Sequence, residues 1–488
     1  KTAYEIRLSL VGSEMCIRDR RYISTRGRAP ELDFTGVLLA GLASDGGLYV
    51  PEAWPALTDN DLAALGGRSY AEIATAIMLP FIGDSIPAED FAVIVADAYR
   101  DFGHPAVAPL VQVGANDWLL ELFHGPTLAF KDVALQLVGR LFDYVMLEQG
   151  KRITIVGATS GDTGSAAIEG CRGRDAMDIF ILHPHGRTSE VQRRQMTTVL
   201  SPNVANLAID GSFDDCQDLV KAMFADVPFR TEMHLAAVNS INWARVALQI
   251  PYYAASALAL GAPDREVAFS VPTGNFGNVM AAWAARRMGL PIAQLIIGAN
   301  KNDILTRFLS ANDMTMRSVE PSVSPSMDIQ VSSNFERLLF ELLGRDAPAT
   351  ADAMRRFRAE GRMPVPDTAW RIATQLFRGF ALDDAGTLAE IARLHRASGY
   401  LADPHTAIGI AAARAVAPSD KAIPIIVAAT AHPAKFPDVV KRATGLDAAL
   451  PPRLADLYQR PERLTRLPNA LGAVEEFVRA HTLQRDRS

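Results

Sequence analysis

One lysine of this chain stands where it can act as a nucleophile. It lies in the run Glu121-Leu122-Phe123-His124-Gly125-Pro126-Thr127-Leu128-Ala129-Phe130-Lys131-Asp132, behind a turn of small and polar residues. Apolar residues recur at Val133, Leu137 and Leu141 and at Val138 and Phe142, a spacing that predicts an amphipathic helix. Gly125 and Pro126 punctuate its approach, so Lys131 falls near the first turn. There the helix dipole and the unpaired N–H groups favour the neutral amine over the ammonium. A neutral amine condenses with a carbonyl to form a Schiff base. A solvated lysine is the commoner meaning of any single Lys, so its neighbours in space must decide.

Three further runs carry polar groups at the ends of expected strands. Ala158-Thr159-Ser160-Gly161-Asp162-Thr163-Gly164-Ser165 follows the β-rich run Arg152–Gly157 and opens an Ala-rich helix. Its hydroxyls and the free N–H groups of a helix start suit a carboxylate or phosphate. A plain helix cap at Ser160 or Asp162 explains the same residues. Val271-Pro272-Thr273-Gly274-Asn275-Phe276-Gly277-Asn278 precedes a helix expected over Val279–Met288. Successive N–H groups around its glycines can make an anion-binding concavity. The spacing fits neither a dinucleotide fingerprint nor an ATP loop. In Ala428-Ala429-Thr430-Ala431-His432-Pro433-Ala434-Lys435-Phe436, Thr430 can bond a ring nitrogen and Lys435 can meet an anion. A turn histidine and a surface lysine are the plainer alternatives.

The elements that must position these runs are legible as alternating strands and helices. Asp178–Leu182, Glu266–Val271, Ala293–Ile297 and Ile423–Val427 are near-continuous apolar runs. Such strands belong to parallel sheets covered on both faces, with ligands at their carboxyl ends. Residues 31–110 carry mostly short helical patterns, and 347–367 reads as a charged, proline-containing surface excursion. The chain's 488 residues exceed one compact core. The net charge of −6 supports neither nucleic acid nor an anionic membrane as partner. Cys16, Cys171 and Cys216 lack zinc spacing and leave one cysteine over, so neither a disulfide framework nor a structural metal is expected, and a reducing cytoplasm fits. Residues 1–20 hold no signal-peptide core; they read as a non-native leader, or alternatively as a short native extension.

Together these stretches resemble the threonine synthases, pyridoxal-phosphate enzymes of the tryptophan-synthase-β-like fold. Besides the runs above, Arg21-Tyr22-Ile23-Ser24-Thr25-Arg26-Gly27, Asn239-Ser240-Ile241-Asn242-Trp243-Ala244-Arg245, Ser326-Met327-Asp328-Ile329-Gln330 and Asp403-Pro404-His405-Thr406-Ala407 carry the likeness. The long form resembles the bacterial and fungal branch. The resemblance implies a type II α/β fold with two parallel-sheet domains and a mostly helical N-terminal segment. The expected division is a leader at 1–20, the N-terminal segment at 21–110, a smaller α/β domain at 111–250, a larger one at 251–450, and a helical tail at 451–488.

Carried over position by position, the resemblance makes Lys131 the catalytic lysine that holds pyridoxal 5'-phosphate. Gly274, Asn275, Phe276, Gly277 and Asn278 become the cradle of the cofactor's phosphate, and Thr430 the partner of its ring nitrogen. Asp162 stands beside its 3'-hydroxyl, where many relatives carry Asn. Ser160, Gly161, Thr163 and Gly164 become the substrate-carboxylate loop, and Asn242, Arg245 and Lys435 the candidates for substrate phosphate. The implied activity converts O-phospho-L-homoserine and water to L-threonine and phosphate, in a cytoplasmic monomer or homodimer without metal. The rivals are another lyase of this fold, a dehydratase or amino-phosphate phospholyase, and a non-catalytic protein built on it.

Overall fold

The computed structural model describes residues 20–483. The expected leader, apart from Arg20, lies outside them. Thirteen strands are present: β1 Tyr22–Ser24, β2 Tyr49–Pro51, β3 Leu110–Gln112, β4 Asp117–Glu121, β5 Ile153–Ala158, β6 Met177–Pro184, β7 Val204–Asp210, β8 Leu235–Ala236, β9 Val267–Pro272, β10 Ile292–Ala299, β11 Phe377–Ala381, β12 Ile425–Ala429 and β13 Thr465–Pro468. A large sheet has the order β11-β10-β9-β12-β4-β3 and a smaller one the order β13-β7-β6-β5-β8. The smaller sheet is parallel throughout, and only β3 runs antiparallel in the larger. Every residue of β6, β9 and β12 is buried, which is why these segments read as near-continuous apolar runs.

Three expectations about organisation are corrected. β3 and β4, at 110–121, join the large sheet through β12, so residues 111–121 pair with the larger sheet and not with the smaller one. The region after Pro451 is more than a helical tail. β13 extends the smaller sheet along β7, and the helix Leu471–His481 buries Val474 and Val478 against that sheet. Residues 347–360 form a helix that buries Thr350, Ala353, Met354 and Phe357, a stripe facing the core. Its Pro348 sits at the helix start, where a missing N–H costs nothing.

One helix pair sets the site. The helix Lys131–Glu148 packs on the helix Asp162–Cys171. At their crossing, a Cβ on Gly139 would strike the Gly170 carbonyl, and one on Gly170 would strike the Leu135 carbonyl. Backbones that approach this closely tolerate no side chain. The contact holds the first residues of both helices, Lys131 and Asp162, in fixed relation. No described helix is long and apolar enough to cross a membrane.

Candidate active site

Lys131 is the first residue of its helix, as the spacing predicts, and its side chain is 11% exposed. Its Nζ lies 3.3 Å from Asp162 Oδ2. Burial pulls the amine below its ordinary value; Asp162 opposes this, while Arg245 and Lys435 reinforce it. Asp162 also accepts from Lys435 Nζ at 2.8 Å and from Gln192 Nε2 at 2.8 Å. Burial would raise its carboxyl, but the two lysines outweigh that and hold it far below the usual carboxylate range. The other nearby carboxylate, Asp132, is pushed upward by burial, although the Thr127 N–H and hydroxyl donate to it at 2.8 and 2.6 Å. Two lysines thus share one ionised carboxylate, and the charge of Arg245 is also felt at Lys131, which makes the cluster attractive to an anion.

Arg245 is the side chain most available to that anion. It lies on the short helix Trp243–Ala247 and is 6% exposed. Its Nη1 is buried with no hydrogen-bond partner among the described residues. Burial alone lowers the guanidinium to about 10. Asn242, expected beside it, is engaged elsewhere. Its Oδ1 caps the helix at Ala244 N, and its Nδ2 donates to the Leu38 carbonyl at 2.8 Å. Lys435 is engaged too: besides Asp162, it donates to the Thr127 carbonyl at 2.7 Å and to Gln195 Oε1 at 3.1 Å. Asn242 and Lys435, expected with Arg245 as candidates for a substrate phosphate, thus have their donors engaged within the protein.

The glycine-rich loop of residues 274–278 joins β9 to the helix Gly277–Arg287. Phe276 takes a left-handed conformation, φ 63°, and its ring packs on Phe335 and Phe377. A turn of this kind, around glycines, is one that can gather backbone N–H groups into an anion-binding concavity. Gly274 has no room for a side chain, since a Cβ would sit 2.8 Å from the Ser326 carbonyl. Ser332 donates to the Gly274 carbonyl at 2.7 Å, and Asn334 donates to the Asn275 carbonyl from N at 3.0 Å and from Nδ2 at 2.9 Å. The fully buried Arg337 bonds the Asn334 side chain and the carbonyls of Tyr49 and Ile241, tying the loop to the segment that carries Arg245. Asn278 Oδ1 accepts from Tyr252 and Tyr253 at 2.6 and 2.5 Å, while its Nδ2 is buried without a partner among the described residues.

Thr430 follows β12, the neighbour of β9, so its loop and the glycine loop open on one edge of the large sheet. The Phe130 N–H donates to the Thr430 carbonyl at 2.9 Å, and Ala129 bridges Ala431. Thr430 is 6% exposed, and its hydroxyl makes no hydrogen bond among the described residues. Asp403 bonds His405 and Thr406, and Thr406 Oγ1 accepts from Thr430 N at 3.2 Å. The Asp403–Ala407 run therefore shapes the loop from behind.

In the loop after β5, the expected cap at Ser160 or Asp162 is supplied by Thr159, whose hydroxyl accepts from Gly161 N and Gly164 N, both at 2.9 Å. Ser160 is exposed, and the Ser160 and Thr163 hydroxyls make no hydrogen bond among the described residues, so both can meet a ligand. Sequence reasoning missed Gln192 and Gln195, one helical turn apart on Glu190–Thr197, and Asn334 and Arg337. Two glutamines at i and i+3 beside the charged Arg193 and Arg194 were the available signal for the first pair.

The donors fit a phosphorylated aldehyde. An amine held toward its neutral form lies beside an orphaned guanidinium, an orphaned amide and a cradle too tight for a side chain. The comparisons agree. Residues 21–99 match the family model of the threonine synthase N terminus, 105–374 that of the pyridoxal-phosphate-dependent enzymes, and 406–478 that of the threonine synthase C-terminal region. Threonine synthase of Pseudomonas aeruginosa is 57% identical over 462 residues, covering 94% of this chain and 98% of that protein. The structure of pyridoxal-phosphate-bound threonine synthase from Brucella melitensis superposes with a TM-score of 0.94 at 54% identity, covering 95% of this chain and 100% of that one. The yeast threonine synthase structure gives 0.91 at 38% identity, covering 95% and 99%. The chain belongs to the threonine synthase family: it is a pyridoxal-phosphate-dependent lyase of the type II fold.

Proposed function

We propose that the chain acts on O-phospho-L-homoserine and water, releasing phosphate and L-threonine in the last step of threonine biosynthesis, in the cytoplasm. The observation that carries this reading is Arg245, a buried guanidinium without a carboxylate, felt electrostatically at Lys131. A buried charge left unpaired costs several kcal/mol, on the order of 3–5, and a dianionic phosphate ester on the substrate would relieve it. Lys131, Thr430, Asp162 and the 274–278 loop would hold the cofactor, and the Ser160–Gly164 loop the substrate carboxylate. When bound, pyridoxal phosphate supplies an electron sink for a carbanion at Cα.

The remaining work falls to side chains. Lys131, freed by the incoming substrate amine, would take the Cα proton, give it up, and take one from Cβ. After phosphate leaves, a proton returns to Cγ and water adds at Cβ, and the lowered proton affinity of Lys131 suits giving as well as taking. Arg245 stabilises the charge that develops on the departing phosphate at Cγ. Thr430 offers the ring nitrogen a hydroxyl instead of a carboxylate, which restrains delocalisation into the ring. Phosphate release and chiral analysis of the product, with the purified chain and its Lys131→Ala variant, test the reading. Expected are stoichiometric phosphate and L-threonine from the parent and neither from the variant. A keto acid and ammonia in place of threonine would assign the chain to the dehydratase class instead.

A further inference from the structure

Two lysines meet the same buried carboxylate, and they are held differently. Lys435 is 0% exposed. Its ammonium contacts Asp162 Oδ1 at 2.8 Å, the Thr127 carbonyl at 2.7 Å and Gln195 Oε1 at 3.1 Å. An ammonium has three donors, so none is left for a ligand. Gln195 closes the ring by donating to the same Thr127 carbonyl at 3.0 Å. Gln192 holds Asp162 Oδ1 at 2.8 Å, while its own Oε1 accepts from Ser189 at 2.9 Å. Lys131, by contrast, reaches the opposite oxygen, Oδ2, at 3.3 Å and makes no other hydrogen bond among the described residues. One lysine is locked and the other is free to leave.

We propose that Lys435 is a positioning residue: held by Gln195 and the Thr127 carbonyl, it acts through Asp162 to limit the negative charge that Lys131 meets, and it does not bind substrate phosphate. The inference rests on the reading of Lys131 as the cofactor-bearing lysine. The charged groups facing Lys131 are Asp162 at the start of its helix, Arg245 from the short helix Trp243–Ala247, and Lys435 from the segment after β12. Asp132 faces Lys435 from the lysine helix itself. Without Lys435, the full charge of Asp162 would turn to Lys131 and hold it as an ammonium, which neither attacks an aldehyde nor takes a proton. With Lys435 in place, the carboxylate stays ionised yet shared. The helix Glu190–Thr197 is then a brace for this arrangement, with Gln192 on the Asp162 carboxylate and Gln195 on the Lys435 ammonium.

The pH dependence of Lys131 acetylation, followed by mass spectrometry on the full cofactor-free chain, reads this directly. In Lys435→Gln and Lys435→Met, the midpoint for Lys131 should rise by about one pH unit, the usual scale for losing a close like charge. Lys435→Gln keeps an N–H for the Thr127 carbonyl, and circular dichroism checks that each variant is folded. Asp162→Asn should move the midpoint down by a similar amount, and a packing role alone would not produce opposite shifts. An unchanged or lowered midpoint in either folded Lys435 variant overturns the proposal. So does weaker competitive inhibition of the holoenzyme by inorganic phosphate in Lys435→Gln with the midpoint unmoved, since that marks a direct phosphate ligand. Failure of the anchor reading would show separately: borohydride reduction of the holoenzyme would then place the cofactor on a lysine other than Lys131.

Discussion

The two sides of the site are built by different physics. On the glycine-loop side, residues 274–278 are held by backbone hydrogen bonds from Ser332 and Asn334, by the packing of Phe276, and by a contact at Gly274 that admits no side chain. On the lysine side, Lys131, Asp162 and Lys435 are held by charge, with Gln192 and Gln195 as neutral supports. A surface fixed by backbone keeps its shape at any pH. A cluster fixed by charge changes character when one proton moves. The site thus pairs a rigid cradle with a tunable base.

Substitutions can break or sharpen that contrast. The largest effect is expected from Lys131→Ala, which should abolish phosphate release and the visible absorbance of the lysine-linked cofactor. Near-normal turnover would remove the charged side from the mechanism altogether. Gly274→Ala comes next. Its Cβ would meet the Ser326 carbonyl at 2.8 Å, and overpacking of about 1–3 kcal/mol should weaken cofactor binding roughly tenfold or more in a fluorescence titration. The pH profile of turnover should keep its shape, because no charge changes; a shifted profile would show that the cradle and the charged cluster are not independent.

Arg245→Ala should raise KM or lower kcat with cofactor affinity retained, at a cost of about 1.5–3 kcal/mol for a charged hydrogen bond. Unchanged kinetics would remove Arg245 from the phosphate site. The last effect, on stability and not on turnover, concerns Glu169, on the Asp162 helix. Burial raises its carboxyl from an ordinary 4.5 to about 7, against the pull of Arg172. The folded state therefore binds the proton more tightly than the unfolded one. That stability is complete below about pH 4.5 and is lost as pH rises through 7, by at most about 3 kcal/mol. Thermal unfolding of Glu169→Gln should lack this decline, and parallel curves for parent and variant would refute it.

What the sequence made legible follows the same division. β5, β6, β9, β10 and β12 stand out because both of their faces are largely buried, so apolar residues run nearly without interruption. β13 escapes notice: Thr465-Arg466-Leu467-Pro468 is an edge strand with half its residues toward solvent, and only pairing with β7 makes it a strand. The helix at 347–360 hides its core stripe among arginines and behind a proline. In the site, Lys131 and the glycine loop announce themselves by local turn chemistry. Asp162, by contrast, meets Lys435, Gln192 and Lys131 from three distant segments. A lysine's partner is a tertiary fact, and for that reason the contacts of Lys435 with Asp162, Gln195 and Thr127 are invisible in the sequence. The cap that Asn242 makes is hidden in the same way, because a capping amide and a ligand amide look alike in sequence.

The backbone link between Phe130 and Thr430, with the Ala129–Ala431 bridge beside it, joins the lysine segment to the end of β12 without using any side chain. The spacing between the Lys131 segment and residue 430 is therefore indifferent to which side chain residue 430 carries. An ancestral scaffold wired in this way could exchange a hydroxyl for another polar group there and so change reaction type. The anchoring lysine would stay in place and the fold would not be rebuilt. Chemical diversification and structural conservation would proceed along separate channels of the same chain.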